Sequence, residues 1–421
     1  MKQPFYGWVV VAAAFTLMFT GFGAAYSFAA FFTAFQQEFG ASRAHVALVF
    51  SICAFIWFGL GAPGGMLADR YGPRWVALVG VACMVAGLVM AAFARSVEAL
   101  YLTYSIGIGV GVGLTYVPSV GAVQPWFMRN RAFASGIAVA GIGAGNLVVP
   151  PLAAWWIELF GWRGAYLMLA GFVALLAGAA AAAIENDPAR RGLAPDGARL
   201  APAGAAATSA HGDLRQRPRA DRATVPGMTL REAFRTRGFW LLYGSLLFAS
   251  VGLFVPMVHL GPYALDAGLS EAQGIALISL IGLGSLIGRF AIGGIADRAG
   301  HRPTLAMLYA GLGAMLLLWW SAQAFWLLAL FAFSFGAFYG GCVALLPTIC
   351  MDQFGARNVS GIIGTLYTGA GLGTLCGPTF AGAAYDASGA YDLPILASAA
   401  LCLAGAALVL ALRRASPASP A

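Results

Sequence analysis

Along most of this chain, apolar residues do not recur every third or fourth position, as they would on the single buried face of a soluble helix. They run on without interruption, and polar residues gather in short clusters between the runs. Each run approaches or exceeds the ~20 residues of helix that cross a bilayer. Taking the clusters as boundaries predicts twelve helical spans, at 7–36, 43–69, 73–93, 98–125, 130–158, 163–184, 238–265, 271–297, 302–321, 324–351, 358–384 and 391–412. The first run, Gly7 to Phe35, is longer than the ~7–15-residue core of a cleaved signal and reads as a retained helix. The expected fold is an all-α polytopic membrane protein.

Composition agrees. The 421 residues are 60% hydrophobic and 10% charged, whereas a soluble domain carries roughly 25% charge. The six cysteines, Cys53, Cys83, Cys342, Cys350, Cys376 and Cys402, all lie in apolar runs without a CxxC pair. They read as small buried hydrophobes, so neither disulfides nor a metal site is expected. The net charge of +8 is laid out by topology. Arg43, Arg95 and Arg163 fall on one side, Arg289 falls inside a span, and every other Lys and Arg lies on the side of the two termini. That asymmetry is the positive-inside pattern with cytoplasmic termini. It removes any need for a nucleic-acid partner.

Residues 185–228 form the one long connection, rich in Ala, Pro, Gly and Arg and including the basic stretch Arg215–Arg222. They read as a flexible linker. "TLREAFRTRGF" (Thr229 to Phe239) predicts a short amphipathic helix on the membrane surface. The division is then 1–184, a linker at 185–237, and 238–421. The two halves echo each other. "GGMLADRYGPRW" after span 2 matches "GGIADRAGHRP" after span 8, aligning Asp69 with Asp297 and Gly72 with Gly300. "ASGIAVAGIGAG" in span 5 matches "VSGIIGTLYTGAG" in span 11. Two parallel six-helix repeats resemble the major facilitator superfamily, which implies two pseudo-symmetric bundles. In that superfamily the repeated loop is a gate latch, here Asp69, Arg70, Arg74 and Asp297, Arg298, Arg302. The acid is placed to cap the helix that follows, and the arginines to pair with acids or carbonyls of the neighbouring bundle.

Span 5 opens on "WFMRNRAFASGIAVAG", which resembles the monocarboxylate porter family's aromatic–Phe pair, basic cluster and Ala-x-Gly-x-Ala-x-x-Gly. Those positions are Trp126, Phe127, Arg129, Arg131, Ala134, Gly136, Ala138 and Gly141. In "FYGWVV", Gly7 and Trp8 fit the family's other signature, but Phe5 replaces its acid. That departure implies a bacterial branch, similar also to the oxalate:formate antiporter, and hence a bacterial inner membrane. "GIGVGVGL" (Gly107 to Leu114) lies inside a span, so it is no nucleotide loop and its glycines serve packing. Pro118, Pro125, Pro150, Pro151, Pro256, Pro347 and Pro378 are expected to kink the helices along the pathway.

Arg289 carries the chemistry. It precedes the Asp297 cluster by about 12 Å of helix. A charge at such depth costs ~2.5–3.5 kcal/mol even on the mild insertion scale, so it faces a polar cavity. Its planar fork suits a carboxylate, and the family resemblance implies the same role. Two familiar partners are missing. Ser285 stands where many animal members have Asp, and Ala30 where they have Lys. Ala370 replaces a lysine of the oxalate antiporter. One fixed positive charge favours a monocarboxylate. His259 and Asp266, seven residues apart in "PMVHLGPYALDAG", are the candidates for proton coupling, and His259 also for lining the cavity. Tyr26, Thr115, Tyr116, Asn146, Tyr367 and Thr368 are candidate polar contacts, Tyr26 and Tyr367 foremost because they match the family's site.

The function expected is secondary transport of a small organic monocarboxylate, with a proton, by alternating access. The chain is expected to be monomeric, without cofactor or enzymatic activity. Anion exchange is the alternative, and a non-transporting sensor on the same fold a further one.

Overall fold

The computed structural model describes residues 5–197, 227–355 and 357–412; the basic stretch Arg215–Arg222 lies outside them. Eleven helices are long and apolar enough to cross a membrane. The longest, Arg131–Ala183, has 53 residues and would be about 80 Å long if straight. It turns at Gly161, whose φ of 66° and ψ of 170° lie where only glycine is at ease. The chain sets out from beside Trp126 and comes back to it, since Trp126 Nε1 donates to the Glu185 carbonyl at 2.7 Å. This helix is therefore two passes, 131–160 and 162–183, and the spans number twelve.

They are designated α1 (Tyr6–Phe39), α2 (Arg43–Tyr71), α3 (Pro73–Ala92), α4 (Val97–Trp126), α5 (131–160), α6 (162–183), α7 (Arg237–Asp266), α8 (Glu271–Ala299), α9 (His301–Ser321), α10 (Phe325–Phe354), α11 (Val359–Ser388) and α12 (Asp392–Leu410). Helices α1–α6 pack as one bundle and α7–α12 as the other, and the bundles meet along α2 with α11 and α5 with α8. The largest departure from the predicted boundaries is in α11, which runs on to Ser388.

Glycine decides how closely these helices approach. A Cβ on Gly141 or Gly145 of α5 would fall 2.3 Å from a carbonyl of α1, while one on Gly143 would fall 2.9 Å from the backbone of α8. α11 repeats the device. Gly373 and Gly377 approach the α7 backbone as closely, and Gly364 abuts Ala62 of α2. Each of these helices is thus a small-residue wedge, pressed against its own bundle on one face and the other bundle on the next.

The echoing loops adopt the same turn. Gly72 and Gly300 have φ near +90° and ψ of 145°, and each N–H closes onto the carbonyl four residues back, at 2.9 and 2.8 Å. The expected capping by Asp69 and Asp297 does not occur. The glycine itself holds the N-cap position and no side chain caps the helix that follows, because each acid still belongs to the last turn of the preceding helix. The arginines are also placed symmetrically. Arg74 donates to the Ile184 carbonyl at the end of α6 and lies 3.7 Å from Glu185. Arg302 donates to the Val409 and Leu410 carbonyls at the end of α12. A cation on open C-terminal carbonyls satisfies both groups. These partners lie in the arginine's own bundle, not the neighbouring one. Arg70 lies over the Tyr71 ring, and Arg298 is exposed.

The predicted surface helix is confined to Leu230–Phe234. A capping box starts it, with Glu232 accepting from the Thr229 N–H at 2.7 Å. That hydrogen bond holds the exposed Glu232 carboxyl below the usual range. The six cysteines are free thiols. The prolines expected to bend the pathway helices lie inside α4, α5, α7, α10 and α11, Pro125 in the 3-10 turn Gln124–Trp126 that ends α4.

Candidate functional site

The helix α1 is interrupted where it borders the centre of the molecule. Its first segment ends at Tyr26 and a second begins at Phe28. Carbonyls freed by the break are taken up by hydroxyls: Ser27 Oγ donates to the Ala24 carbonyl at 2.8 Å, and Tyr104 Oη approaches those of Ala24 and Ala25. The break sets the Tyr26 hydroxyl 2.8 Å from that of Tyr339 on α10, a hydrogen bond between the bundles.

Beside that pair lies Arg289 on α8, 8% exposed and within electrostatic range of both hydroxyls. One of its Nη atoms donates to the Val139 carbonyl of α5 at 2.5 Å. Its Nε and its other Nη are buried with no partner, as is the Ser285 hydroxyl one turn earlier. Buried charged donors without acceptors are costly and rare. Among the described residues, no carboxylate forms an ion pair with Arg289, so it is not one member of a structural pair.

A cavity opens next to this spot. Tyr26, Tyr116 and Tyr367 line it, as does Tyr339, which sequence reasoning missed. Gly61, the repeat equivalent of Arg289, and Ala370, which stands in for a familiar lysine, also lie on its wall. The other candidates sit elsewhere. Thr115 spends its hydroxyl on the Gly111 and Val112 carbonyls of its own helix, at 2.9 and 3.2 Å, and its methyl faces Gly80. Thr368 likewise donates to the Thr365 carbonyl. Asn146 is 1% exposed. Its Nδ2 touches only the Met257 sulfur at 4.0 Å, and its Oδ1 is unpartnered.

His259 and Asp266 belong to one connected chain of bonds at the side opposite the termini. Arg43, the first residue of α2, grips Asp266 at 2.7 and 2.8 Å and donates to Tyr391 Oη at 2.7 Å. Tyr391 Oη lies 3.0 Å from His259 Nδ1, and His259 Nε2 lies 2.8 Å from the Pro378 carbonyl. Because that carbonyl can only accept, the proton sits on Nε2 and Tyr391 donates to Nδ1. Asp386 of α11 accepts from the N–H groups of Arg43 and Ala44 at 2.9 Å each. Arg43 and Ala44 belong to the first bundle, and Asp266, Tyr391 and Asp386 to the second. Arg43–Asp266 is the one ion pair that joins the bundles among the described residues; the others stay within a bundle. The molecule is therefore latched on the side opposite the termini. Sequence reasoning counted Arg43 for sidedness but did not find this role.

Twelve passes in two bundles, with a cavity between them latched at one end, define a membrane transporter by its architecture. The family model of the Major Facilitator Superfamily matches residues 13–322 and 247–421. Monocarboxylate transporter 12 of Xenopus laevis is 30% identical over 413 residues, covering 93% of this chain and 85% of the relative. Monocarboxylate transporter 3 of Rattus norvegicus is 31% identical over 407 residues, covering 95% and 78%. In fold the chain is similar to a bacterial homolog of the human lysosomal transporter Spinster, solved in an inward-facing and unoccupied conformation. The TM-score is 0.73 at 16% identity, covering 99% of this chain and all of the other. The chain belongs to the Major Facilitator Superfamily and, within it, to the family of the monocarboxylate transporters.

Proposed function

We propose that this transporter carries a small organic monocarboxylate together with a proton by alternating access, with Arg289 as the carboxylate's partner. The observation that carries the reading is the Arg289 guanidinium, buried between the bundles with two nitrogens unpaired beside the Tyr26–Tyr339 pair. A carboxylate would accept from both and remove the cost of leaving them bare. The names of the relatives agree with this substrate class. With cytoplasmic termini, the latch closes the outward-facing side. An anion entering against a negative interior is opposed by ~2.3 kcal/mol per charge per 100 mV, which a co-transported proton removes. The hydrogen-bonded chain from Asp266 through Arg43 and Tyr391 to His259 supports the coupling: a proton on either end group disturbs the contacts that hold the latch.

In proteoliposomes, Arg289→Ala and Arg289→Lys should each lower uptake of labelled monocarboxylate at least 100-fold while the melting temperature in detergent stays within a few degrees. Arg289→Lys is the sharper test, since it keeps the charge and removes the planar fork. Transport at the parent rate in either variant would overturn the assignment. Uptake driven by an opposing carboxylate gradient, with no dependence on a proton gradient, would replace symport by exchange.

A further inference from the structure

The cavity next to Arg289 is walled by aromatic rings supplied by both bundles. Phe22 of α1 meets the Tyr116 ring edge-on at 5.5 Å between centroids and Trp57 at 5.8 Å. Phe254 of α7 reaches across to Trp57 at 6.4 Å and Phe58 at 5.9 Å, and on its own side to Tyr339 at 6.5 Å. Phe58 in turn meets Tyr367 of α11 at 5.6 Å. Each of these rings lines the cavity. The polar groups on the wall are tyrosine hydroxyls and the Ser250 hydroxyl, with Arg289 beside the Tyr26–Tyr339 hydrogen bond. Trp57 adds a buried Nε1–H with no partner.

Such a wall is a poor match for a small, heavily hydrated acid. An acid of two or three carbons would satisfy Arg289 and leave most of the ring surface facing water. An apolar body attached to the carboxylate removes that surface from water, and a planar one adds offset or edge-on contacts with rings at the 4.5–7 Å spacing such pairs prefer.

Resting on the assignment of Arg289 as the carboxylate's partner, we infer that the substrate is an aromatic monocarboxylate, its ring received by the Trp57–Phe58–Phe254–Tyr339 wall and its carboxylate by Arg289. Phe254 is the specificity-determining residue, because it alone among these four meets the rings of the other three. It registers whether a substrate ring lies between them. Arg289 governs whether an acid binds, and Phe254 governs which acid.

The test is equilibrium binding to the full chain in lipid nanodiscs with four probes: acetate, cyclohexanecarboxylate, phenylacetate and its neutral amide, phenylacetamide. Phenylacetate should bind at least 30-fold more tightly than acetate, about 2 kcal/mol, and more tightly than cyclohexanecarboxylate and phenylacetamide. Phe254→Leu should reduce the phenylacetate-to-acetate ratio at least tenfold; Phe58→Leu serves if the first variant does not fold. Acetate and phenylacetate binding alike, both lost in Arg289→Gln, would overturn the aromatic class and leave the Arg289 assignment standing. Phenylacetate and phenylacetamide binding alike and indifferent to Arg289→Gln would overturn the Arg289 assignment and leave the ring wall standing. Cyclohexanecarboxylate equal to phenylacetate would overturn the aromatic part, and loss of all binding preference would overturn both.

Discussion

Arg289 was legible in the sequence because a cation deep inside an apolar run is expensive and needs a reason. Nothing comparable marks Tyr339. A tyrosine within "FAFSFGAFYGG" looks like any aromatic of a membrane helix, and only the tertiary fold sets its hydroxyl 2.8 Å from Tyr26. Thr115 shows the opposite failure. A hydroxyl in a span suggested a contact, but a threonine inside a helix readily donates to its own backbone, and here it does. The two residues therefore separate cleanly under mutation. Tyr339→Phe removes one hydroxyl from the Arg289 neighbourhood and should weaken substrate binding about tenfold, the loss of one hydrogen bond near a charge. Thr115→Val keeps the packing volume and should leave the uptake KM within about twofold. Equal effects of the two changes on KM would mean that the Tyr26–Tyr339 pair takes no part in binding.

At the scale of helices, the twelve spans and the paired loops could be read from residue order because lipid imposes a length and the repeat a spacing. What could not be read is the use of each small residue. The family-like stretch contains Gly136 and Gly141 five residues apart, yet they do different work. A Cβ on Gly136 would meet nothing nearer than Phe290 at 3.9 Å, whereas one on Gly141 would fall 2.3 Å from the Phe15 carbonyl. That carbonyl belongs to a helix that cannot move aside without disturbing α1 along its length. Gly141→Ala should therefore destabilise the protein by roughly 1–3 kcal/mol, the usual range for overpacking, visible as a lower melting temperature in detergent. Gly136→Ala should leave it unchanged or slightly raised, since alanine is the better helix former. A Gly136 variant that melts as early as Gly141→Ala would show that the stretch is constrained by something other than the approach of α1.

For the whole molecule, the sequence carried the pseudo-symmetry but not the state. Gly72 and Gly300 turn alike, as the echo implied, while Arg74 and Arg302 close equivalent helix ends within their own bundles. Which end of the central cavity is shut depends on Arg43 meeting Asp266, Tyr391 and Asp386 across more than 200 positions of sequence, and no local pattern announces such a meeting. Those contacts also set how strongly the state is held. Arg43 is 12% exposed and Asp266 35%, so their two-pronged bond is better shielded than an exposed surface pair worth ~0–1 kcal/mol. Hydrogen bonds to charged groups contribute roughly 1.5–3 kcal/mol, enough to shift a two-state equilibrium by about 10- to 100-fold. Asp266→Asn keeps the shape of the side chain, removes its charge and mimics the protonated acid. It should move the population toward opening on the side opposite the termini. Spin labels at Ala41 and Glu271, on that side of the two bundles, would then report a longer distance than in the parent protein. Arg43→Gln should produce the same shift, and the double variant no more than either alone, because both act on one contact. An unchanged distance distribution in both single variants would remove the latch from the transport cycle and, with it, the proposed route from a proton on Asp266 to movement of the bundles.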